Sequence, residues 1–371
     1  MEVKEFLLEH WLNPRDPYAK YNLGASCVKA FHVDELFDYL GLDVDEFLDQ
    51  VRHMSLHYCY FDGMPRLREA ISTWYEDVSP DEVMTVHGGT GANNLVMSEL
   101  LQPGDNVVVF APNYEQHFNY PESIAEVRRL ACRRENGYLP DLDELASLVD
   151  DRTRMVIITN PNNPSGAYVR RQMLEQVCEI ARSHDAYVLS DEIYRGLDED
   201  YMASVVDVYE KGIVTCSTSK VFSMAGTRVG WVVCKDKPTY TRLFNRRSYD
   251  TVSDGVFDEM ISAVALEHID QILARSRSIV GESRAILDEW LATQPALHSD
   301  YRSYSTTALV NYDYPIENYD FCNGLYEKTG VLLCHGDCFD LPRTFRIGYG
   351  FGAPDHFAEA LGVMGDYLKT L

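Results

Sequence analysis

The amino-acid sequence predicts an α/β protein that has a large domain with a mostly parallel, doubly wound sheet and a smaller α+β domain. Between residues 51 and 250, short runs of consecutive apolar residues alternate with helical stretches, which is typical of parallel strands that helices cover on both faces. After residue 251, two long helical stretches precede short strand-like pieces, which indicates an α+β arrangement. We therefore predict a large domain at 51–250 and a small domain from both termini, 1–50 and 251–371.

The individual elements follow from local patterns. The first 49 residues are expected to be mostly helical, with an extended stretch at 21–23. Helices are predicted where apolar residues recur at helical spacing: 34–40, 66–75, 92–101, 171–184, 254–273 and 276–293. Strands are predicted where apolar or β-branched residues are consecutive: 83–86, 107–111, 155–159, 186–189, 213–216, 229–234, 308–312, 331–334 and 344–347.

The composition argues against several classes of protein. The 371 residues are 46% hydrophobic and 25% charged, which fits a folded globular chain. Lys and Arg number 33 against 58 Asp and Glu, so the net charge of −25 argues against nucleic acid or an anionic membrane as a partner. The nine cysteines include no Cys-x-x-Cys pair, so we expect reduced thiols and no metal site. Because no signal peptide or long apolar span is recognisable, we expect a cytoplasmic protein.

Polar residues that an apolar core does not need stand beside four of the predicted strands. Three segments follow strands and the fourth precedes one: Asn160-Pro161-Asn162-Asn163-Pro164-Ser165-Gly166, Ser190-Asp191-Glu192-Ile193-Tyr194, Ser217-Thr218-Ser219-Lys220 and Gly226-Thr227-Arg228. In doubly wound sheets, ligands bind at the carboxyl ends of the strands. Each segment alone also fits a turn, a helix cap or a surface lysine, but the four in this order are far more specific.

Together these motifs resemble the class I and II aminotransferase family of the fold-type I enzymes that depend on pyridoxal 5'-phosphate (PLP). The resemblance runs from about residue 21 to the C-terminus, and Arg228 follows Lys220 at the family's spacing of eight residues. It implies PLP as cofactor, a large domain with a mostly parallel sheet, a smaller domain built from both termini, and a homodimer.

The resemblance also implies the residues that hold the cofactor. Lys220 matches the lysine that binds the aldehyde as a Schiff base and, once released, moves the substrate's Cα proton. Asp191 matches the carboxylate that keeps the pyridine nitrogen protonated, so that the ring acts as an electron sink. Tyr194 and Asn163 match the groups that hydrogen-bond the phenolic oxygen, and Tyr114 matches the aromatic ring stacked on the cofactor.

The phosphate of the cofactor needs backbone and cationic donors. The glycine-rich turn at 88–91 precedes a predicted helix, whose N–H groups and dipole can receive a dianion. The resemblance implies these ligands: Gly89, Thr90, Gly91, Ser217, Ser219 and Arg228. It also implies that Tyr58 reaches the phosphate of the neighbouring subunit. Because Cys59 stands where the family usually has glycine, Tyr60 remains the alternative.

The substrate contacts are implied in the same way. Arg346, inside an otherwise apolar run, matches the arginine that binds the substrate's α-carboxylate, and Gly24 and Asn163 match residues near it. Of the remaining polar residues, we expect His117 on a helix surface, with the pocket wall as the alternative because it follows Tyr114 by three residues. We expect Arg246-Arg247 either in a solvated turn or near the substrate.

The resemblance implies an aminotransferase that moves an amino group between an α-amino acid and a 2-oxo acid. A PLP-dependent lyase or cyclase, like the C–S β-lyases or the capreomycidine synthases, is the alternative on the same scaffold. The Asp191-x-x-Tyr194 spacing favours transamination. A third interpretation is a non-catalytic PLP-binding regulatory module, against which the retention of Lys220 argues.

Overall fold

Strands and helices alternate through most of the chain in a computed structural model that describes residues 3–299 and 301–371. The helices are α1 (Leu7–Leu12), α2 (Val33–Leu40), α3 (Val44–His53), α4 (Pro65–Ser72), α5 (Gly88–Leu100), α6 (Gln116–Glu122), α7 (Leu142–Leu148), α8 (Arg171–Arg182), α9 (Lys237–Asp250), α10 (Val256–Leu266), α11 (Ile269–Leu291), α12 (Asn318–Thr329) and α13 (Pro354–Leu368). The strands are β1 (Tyr21–Asn22), β2 (Val83–His87), β3 (Asn106–Ala111), β4 (Glu126–Ala131), β5 (Thr153–Thr159), β6 (Tyr187–Asp191), β7 (Gly212–Ser217), β8 (Val229–Cys234), β9 (Leu297–His298), β10 (Thr307–Tyr312), β11 (Val331–Leu332), β12 (Cys334–His335) and β13 (Thr344–Gly348).

Within the described residues, seven strands form the large sheet, in the spatial order β2-β8-β7-β6-β5-β3-β4. β8 is antiparallel to both of its neighbours, and the other pairs are parallel. β5, β6 and β7 are buried along almost their whole length, which explains their continuous apolar sequences. The sheet confirms the predicted α/β class, and it brings the carboxyl ends of β5, β6 and β7 to one edge.

The sequence analysis does not predict β4, which lies at the edge of the large sheet. Three of its six residues are charged, and its residues are exposed or half-buried except for Leu130. An edge strand with a solvated face lacks the continuous apolar run that identifies a central strand. The C-terminal helices also differ from the prediction, because the break falls between α10 and α11 at 267–268, and α12 and α13 are additional. No helix in the described part of the chain is long and apolar enough to cross a membrane.

A smaller antiparallel sheet, in the order β12-β13-β10-β9, lies in the C-terminal part of the chain. β1 pairs in parallel with β11, so the N-terminal segment joins this part of the structure. The N–H of Gly348, at the end of β13, donates to the carbonyl of Leu23 at 2.7 Å. These contacts place the N-terminal segment directly beside β13.

The predicted domain boundaries at 50 and 251 stay a prediction. Leu36 and Phe37 of α2 pack in the same apolar cluster as Val156 of β5, and Ala263 and Leu266 of α10 belong to that cluster as well. Side chains from both terminal segments therefore contribute to the core on one face of the large sheet.

Candidate active site

A cavity of about 420 Å³ opens where β5 and β6 end and the loop after β7 begins. Its walls come from these strand ends, the start of α5, the N-terminal segment and β13. The predicted site residues that line it are Gly24, Gly89, Thr90, Tyr114, Asn163, Asp191, Tyr194, Ser219, Lys220, Arg228 and Arg346. Residues from both ends of the chain are thus brought to one place.

Lys220 lies in the loop after β7, with its amine held by the N-terminal segment. Nζ donates to Ser26 Oγ at 3.0 Å and to Cys27 Sγ at 3.6 Å. Burial by itself lowers the pKa of Lys220, but the Cys27 thiol and the Tyr194 phenol raise it, and the net shift is upward. Ser26 and Cys27 are not identifiable from the sequence, because nothing in the local sequence marks them as partners of a lysine almost 200 residues away.

Asp191, the last residue of β6, presents a buried carboxylate to the cavity. Its Oδ2 accepts a hydrogen bond from Asn93 Nδ2 at 2.8 Å, and its Oδ1 accepts one from the N–H of Ile193 at 3.2 Å. Thr215 Oγ1 in turn donates to Asn93 Oδ1 at 2.5 Å. These bonds fix the orientation of the carboxylate. Asn93 is not predicted from the sequence, because one asparagine within a helix forms no motif.

The expectation that His117 lies on a helix surface is wrong. His117 lies on α6 but is fully buried. Its Nδ1 is 3.0 Å from Asn113 Oδ1 and 3.1 Å from Thr159 Oγ1, and its Nε2 is 3.3 Å from Asp191 Oδ2, outside hydrogen-bond geometry. The ring therefore lies beside the Asp191 carboxylate, without a hydrogen bond to it, and does not line the cavity. The alternative, a place in the pocket wall, is not what the structure shows either.

Arg346, on β13, is a fully buried cation at the cavity wall. Nη1 donates to Asn163 Oδ1 at 2.9 Å, and Nη2 donates to the Gly24 carbonyl at 2.6 Å and to Cys334 Sγ at 3.0 Å. Its Nε has no hydrogen-bond partner among the described residues. A buried guanidinium that keeps an unused donor suits an anionic ligand such as a carboxylate.

Arg228 and the start of α5 form another positively polarised end of the cavity. Arg228 Nη1 donates to the Ala225 carbonyl at 2.9 Å and to Ser219 Oγ at 3.4 Å. Gly88 has a φ of 70°, and a Cβ atom there would lie 2.5 Å from Arg228 Nη2. Glycine therefore leaves room for the guanidinium beside the helix N-terminus, where an anion is favoured.

Tyr114 lies between the cavity and the N-terminal helix α1. Its hydroxyl donates to Glu9 Oε1 at 3.2 Å, and its ring centroid is 5.1 Å from that of Phe6. Burial raises the pKa of Tyr114, and the Glu9 carboxylate raises it further. The phenol therefore stays neutral and acts as a hydrogen-bond donor toward α1.

Three of the predicted residues do not line the cavity. Ser217 is buried behind its wall, where Oγ accepts a hydrogen bond from the Ser219 N–H at 3.2 Å, and Gly91 lies in the first turn of α5. Tyr58 and its alternative Tyr60 are both exposed, with 69% and 58% of their surfaces accessible. Neither tyrosine lines the cavity of its own chain.

Arg247 is in neither of the two environments expected for it. It is fully buried on α9, donates to the carbonyls of Thr85 and Phe61 at 2.7 and 2.6 Å, and pairs with Asp254 at 2.9 Å. Its guanidinium thus connects main-chain segments outside the cavity. The physical reason is that α9 packs against the large sheet through this face.

The donor set of the cavity fits PLP. The amine of Lys220 can react with an aldehyde, and the buried carboxylate of Asp191 can pair with a protonated ring nitrogen. The guanidinium of Arg228 can bind a phosphate. Because Gly88 has no Cβ atom, space remains beside the Arg228 guanidinium, where the phosphate would bind. No group of three or more potential metal ligands occurs within residues 3–299 and 301–371.

Comparisons with known proteins identify the family to which the chain belongs. The family model described as "Aminotransferase class I and II" matches residues 44–361. Capreomycidine synthase of Streptomyces vinaceus is 30% identical over 98% of this chain and 93% of its own length. The arginine–pyruvate transaminase of Pseudomonas aeruginosa is 32% identical over 86% of this chain and 84% of its own. The crystal structure of a PLP-dependent aminotransferase from Streptococcus suis has a TM-score of 0.96 and 34% identity, and it covers 100% of this chain and 99% of that one.

Proposed function

Since the chain belongs to the class I and II aminotransferase family and its cofactor is PLP, we propose that it moves an amino group between an α-amino acid and a 2-oxo acid. The observation that supports this most directly is that Lys220, Asp191 and Arg346 line one cavity. An amine, a buried carboxylate and a buried guanidinium are the three groups that this chemistry needs beside its cofactor.

Each residue has a separate task in the proposed reaction. When bound, PLP supplies a sink for the electrons of the substrate's Cα–H bond. Asp191, oriented by Asn93, would accept a hydrogen bond from the protonated ring nitrogen, and Arg228 would bind the phosphate. Arg346 binds the substrate's α-carboxylate and so orients the Cα–H bond. Lys220 Nζ then moves the Cα proton as general base and acid.

A cyclase or lyase is the second candidate. The 30% identity to capreomycidine synthase, over 98% of this chain, is the specific observation that favours it. Such an enzyme shares the binding groups and the removal of the Cα proton, but it loses a side-chain leaving group instead of the amino group.

Half-reactions distinguish the two candidates. We expect that an L-amino acid alone bleaches the visible absorbance of the bound cofactor, and that a 2-oxo acid restores it while the first substrate's 2-oxo acid is released. The Lys220→Ala variant should lose turnover and the borohydride-reducible adduct, whereas Lys237→Ala, which changes an exposed lysine outside the cavity, should keep both. Release of ammonia and pyruvate, or a cyclised product, without a lasting amino form of the cofactor would establish the second candidate instead.

We also propose that the protein is a cytoplasmic homodimer with a large domain at 51–250 and a small domain from both termini. The dimer is supported by the exposed apolar segment 56–61. In it, Leu56, Tyr58, Tyr60 and Phe61 each have more than half of their surface accessible in the single chain. Exposed apolar side chains that cluster in this way are typical of protein interfaces.

A further inference from the structure

The N-terminal wall of the cavity carries negative charge. Glu9 of α1 and Asp16, four residues after that helix, both line the cavity, as do Asn13 and Asn22. Asp191, on the sheet side, is the remaining carboxylate in the described lining. Glu9 and Asp16 have no part in the proposed holding of the cofactor, so they are free to contact a substrate side chain.

Each basic side chain in the described cavity lining already has a task in the proposed function. The basic residues in the described lining are Lys220, Arg228 and Arg346. In the proposed function the first reacts, the second holds phosphate and the third binds the α-carboxylate. The lining described for this chain therefore offers no further cation to a side-chain carboxylate, whereas it offers two carboxylates to a side-chain cation.

A separate observation concerns Arg346, which the proposed function assigns to the α-carboxylate. Arg346 is fully buried, and its Nε donor has no partner among the described residues. The same guanidinium is connected to the acidic wall, because Nη2 donates to the Gly24 carbonyl at 2.6 Å and the Gly24 N–H donates to Asn22 Oδ1 at 3.0 Å. Asn22 Nδ2 then donates to Asp16 Oδ1. A chain of hydrogen bonds along the N-terminal segment thus joins the Arg346 guanidinium to the Asp16 carboxylate.

Glu9 is positioned by a hydrogen bond to its side chain and by the attachment of the helix that carries it. Tyr114, at the predicted cofactor face, donates to Glu9 Oε1 at 3.2 Å. The helix that carries Glu9 is attached at its start, where the N–H groups of Leu7 and Leu8 donate to the Glu115 carboxylate at 3.1 and 2.7 Å. A carboxylate has about four acceptor sites, so Glu9 keeps capacity for a ligand donor after Tyr114 is bound.

We propose that the substrate is an α-amino acid whose side chain ends in a cation, a guanidinium or an ammonium group, which Glu9 and Asp16 bind. Charge-assisted bonds to two carboxylates would select such a side chain over a neutral or anionic one of equal length. The inference rests on the proposed function for the assignment of Arg346 to the α-carboxylate.

Equilibrium binding to the PLP-loaded protein tests the substrate class. L-arginine, L-lysine, L-citrulline and L-glutamate are titrated without an amino acceptor, and the visible absorbance of the cofactor reports binding. Citrulline matches arginine in length and shape but is uncharged. We expect arginine to bind at least about tenfold more tightly than citrulline, and glutamate most weakly. Equal affinity for arginine and citrulline, tighter binding of glutamate, or no binding of the two cationic amino acids would overturn the proposal.

Two charge-neutralising variants test the residues. Glu9→Gln and Asp16→Asn should each reduce the ratio of arginine to citrulline affinity by about tenfold while citrulline affinity stays within about twofold. Glu5→Gln is the matched control, because Glu5 is an exposed acid of the same segment that does not line the cavity. An equal loss for both ligands in the Glu9 and Asp16 variants would show a structural role and overturn the assignment. An unchanged PLP absorbance spectrum before titration shows that the variants fold.

The experiment separates this inference from the proposed function. If arginine binds preferentially but no 2-oxo acid forms, the substrate class stands and transamination fails. If glutamate is bound preferentially and converted to its 2-oxo acid, transamination stands and the cationic substrate class fails.

Discussion

At the scale of single residues, Arg228 has an unusual backbone. Its φ of 53° lies in the left-handed region, which costs a residue with a side chain on the order of 1 kcal/mol. The hydrogen bonds from its guanidinium to Ala225 and Ser219 stabilise this conformation. The effect is to place a cation beside Gly88, at the N-terminus of α5.

We predict that Arg228→Ala weakens PLP binding by about 10- to 100-fold, since losing a charged hydrogen-bond partner costs roughly 1.5–3 kcal/mol. Titration of the apoprotein with PLP at fixed salt, followed by visible absorbance, measures the affinity. Arg302→Ala is the control, because Arg302 is exposed and does not line the cavity. A cofactor affinity equal to that of the unchanged protein would rule out Arg228 as the phosphate ligand.

At the scale of elements, α1 is too short to be stable by itself. Isolated helices of six residues are not populated in water, because nucleation is costly and few hydrogen bonds repay it. Leu8 and Trp11 bury one face of α1, and the Glu115 carboxylate accepts hydrogen bonds from the first N–H groups. Burial raises the pKa of Glu115, and the two N–H groups oppose that shift. Glu115 therefore acts as an N-terminal cap supplied by a distant part of the chain.

We predict that Glu115→Ala loosens α1, because losing a cap costs about 1 kcal/mol and leaves two N–H groups unpaired. Amide hydrogen exchange should become faster across residues 7–12 while the strands of the large sheet keep their protection. Glu122→Ala, which removes an exposed ion pair with Lys4, is the control and should leave exchange in α1 nearly unchanged. Equal exchange rates in the Glu115 variant and the unchanged protein would refute the cap.

At the scale of the whole molecule, the exposed apolar side chains of segment 56–61 support the proposal that a second subunit packs against this surface. Tyr58 does not line the cavity of its own chain and has no buried environment there. If the family's arrangement applies, the partner subunit buries this segment and receives Tyr58 or Tyr60 at its phosphate site.

We predict a symmetric dimer with shared sites, which a mixture of inactive variants can reveal. Lys220→Ala and Tyr58→Phe chains should each show little activity alone, and a refolded mixture should recover part of it because some dimers contain one intact site. Two preparations of Lys220→Ala mixed in the same way are the control. Full activity in a species that sediments as a monomer contradicts the shared site. If activity recovers only when Lys220→Ala chains are mixed with Tyr60→Phe chains, Tyr60 is the residue that reaches the neighbouring subunit.

The fold class and the cofactor could be read from the sequence because both depend on contiguous residues. A central parallel strand such as β5 is apolar along its length. The segments with Asp191 and Lys220 are short runs of consecutive residues directly beside predicted strands. The edge strand β4 was not predicted because it is largely exposed and three of its six residues are charged. The roles of the individual site residues stay predictions until the variants are measured.

The partners of those residues depend on the packing of the complete chain. Asn93 reaches Asp191 across 98 residues of sequence, and Glu9 reaches Tyr114 across 105, because α5 and α1 are placed by the large sheet and by the N-terminal contacts with β13. A polar residue within a helix leaves no periodic signal, and a carboxylate near the N-terminus has the same sequence pattern as any solvated acid. The local sequence therefore predicts the central strands and a candidate for the reactive lysine, Lys220. The cavity wall formed by Glu9 and Asp16 exists only after distant elements have packed together. The reason is that a long-range contact depends on the geometry of every element between its two residues.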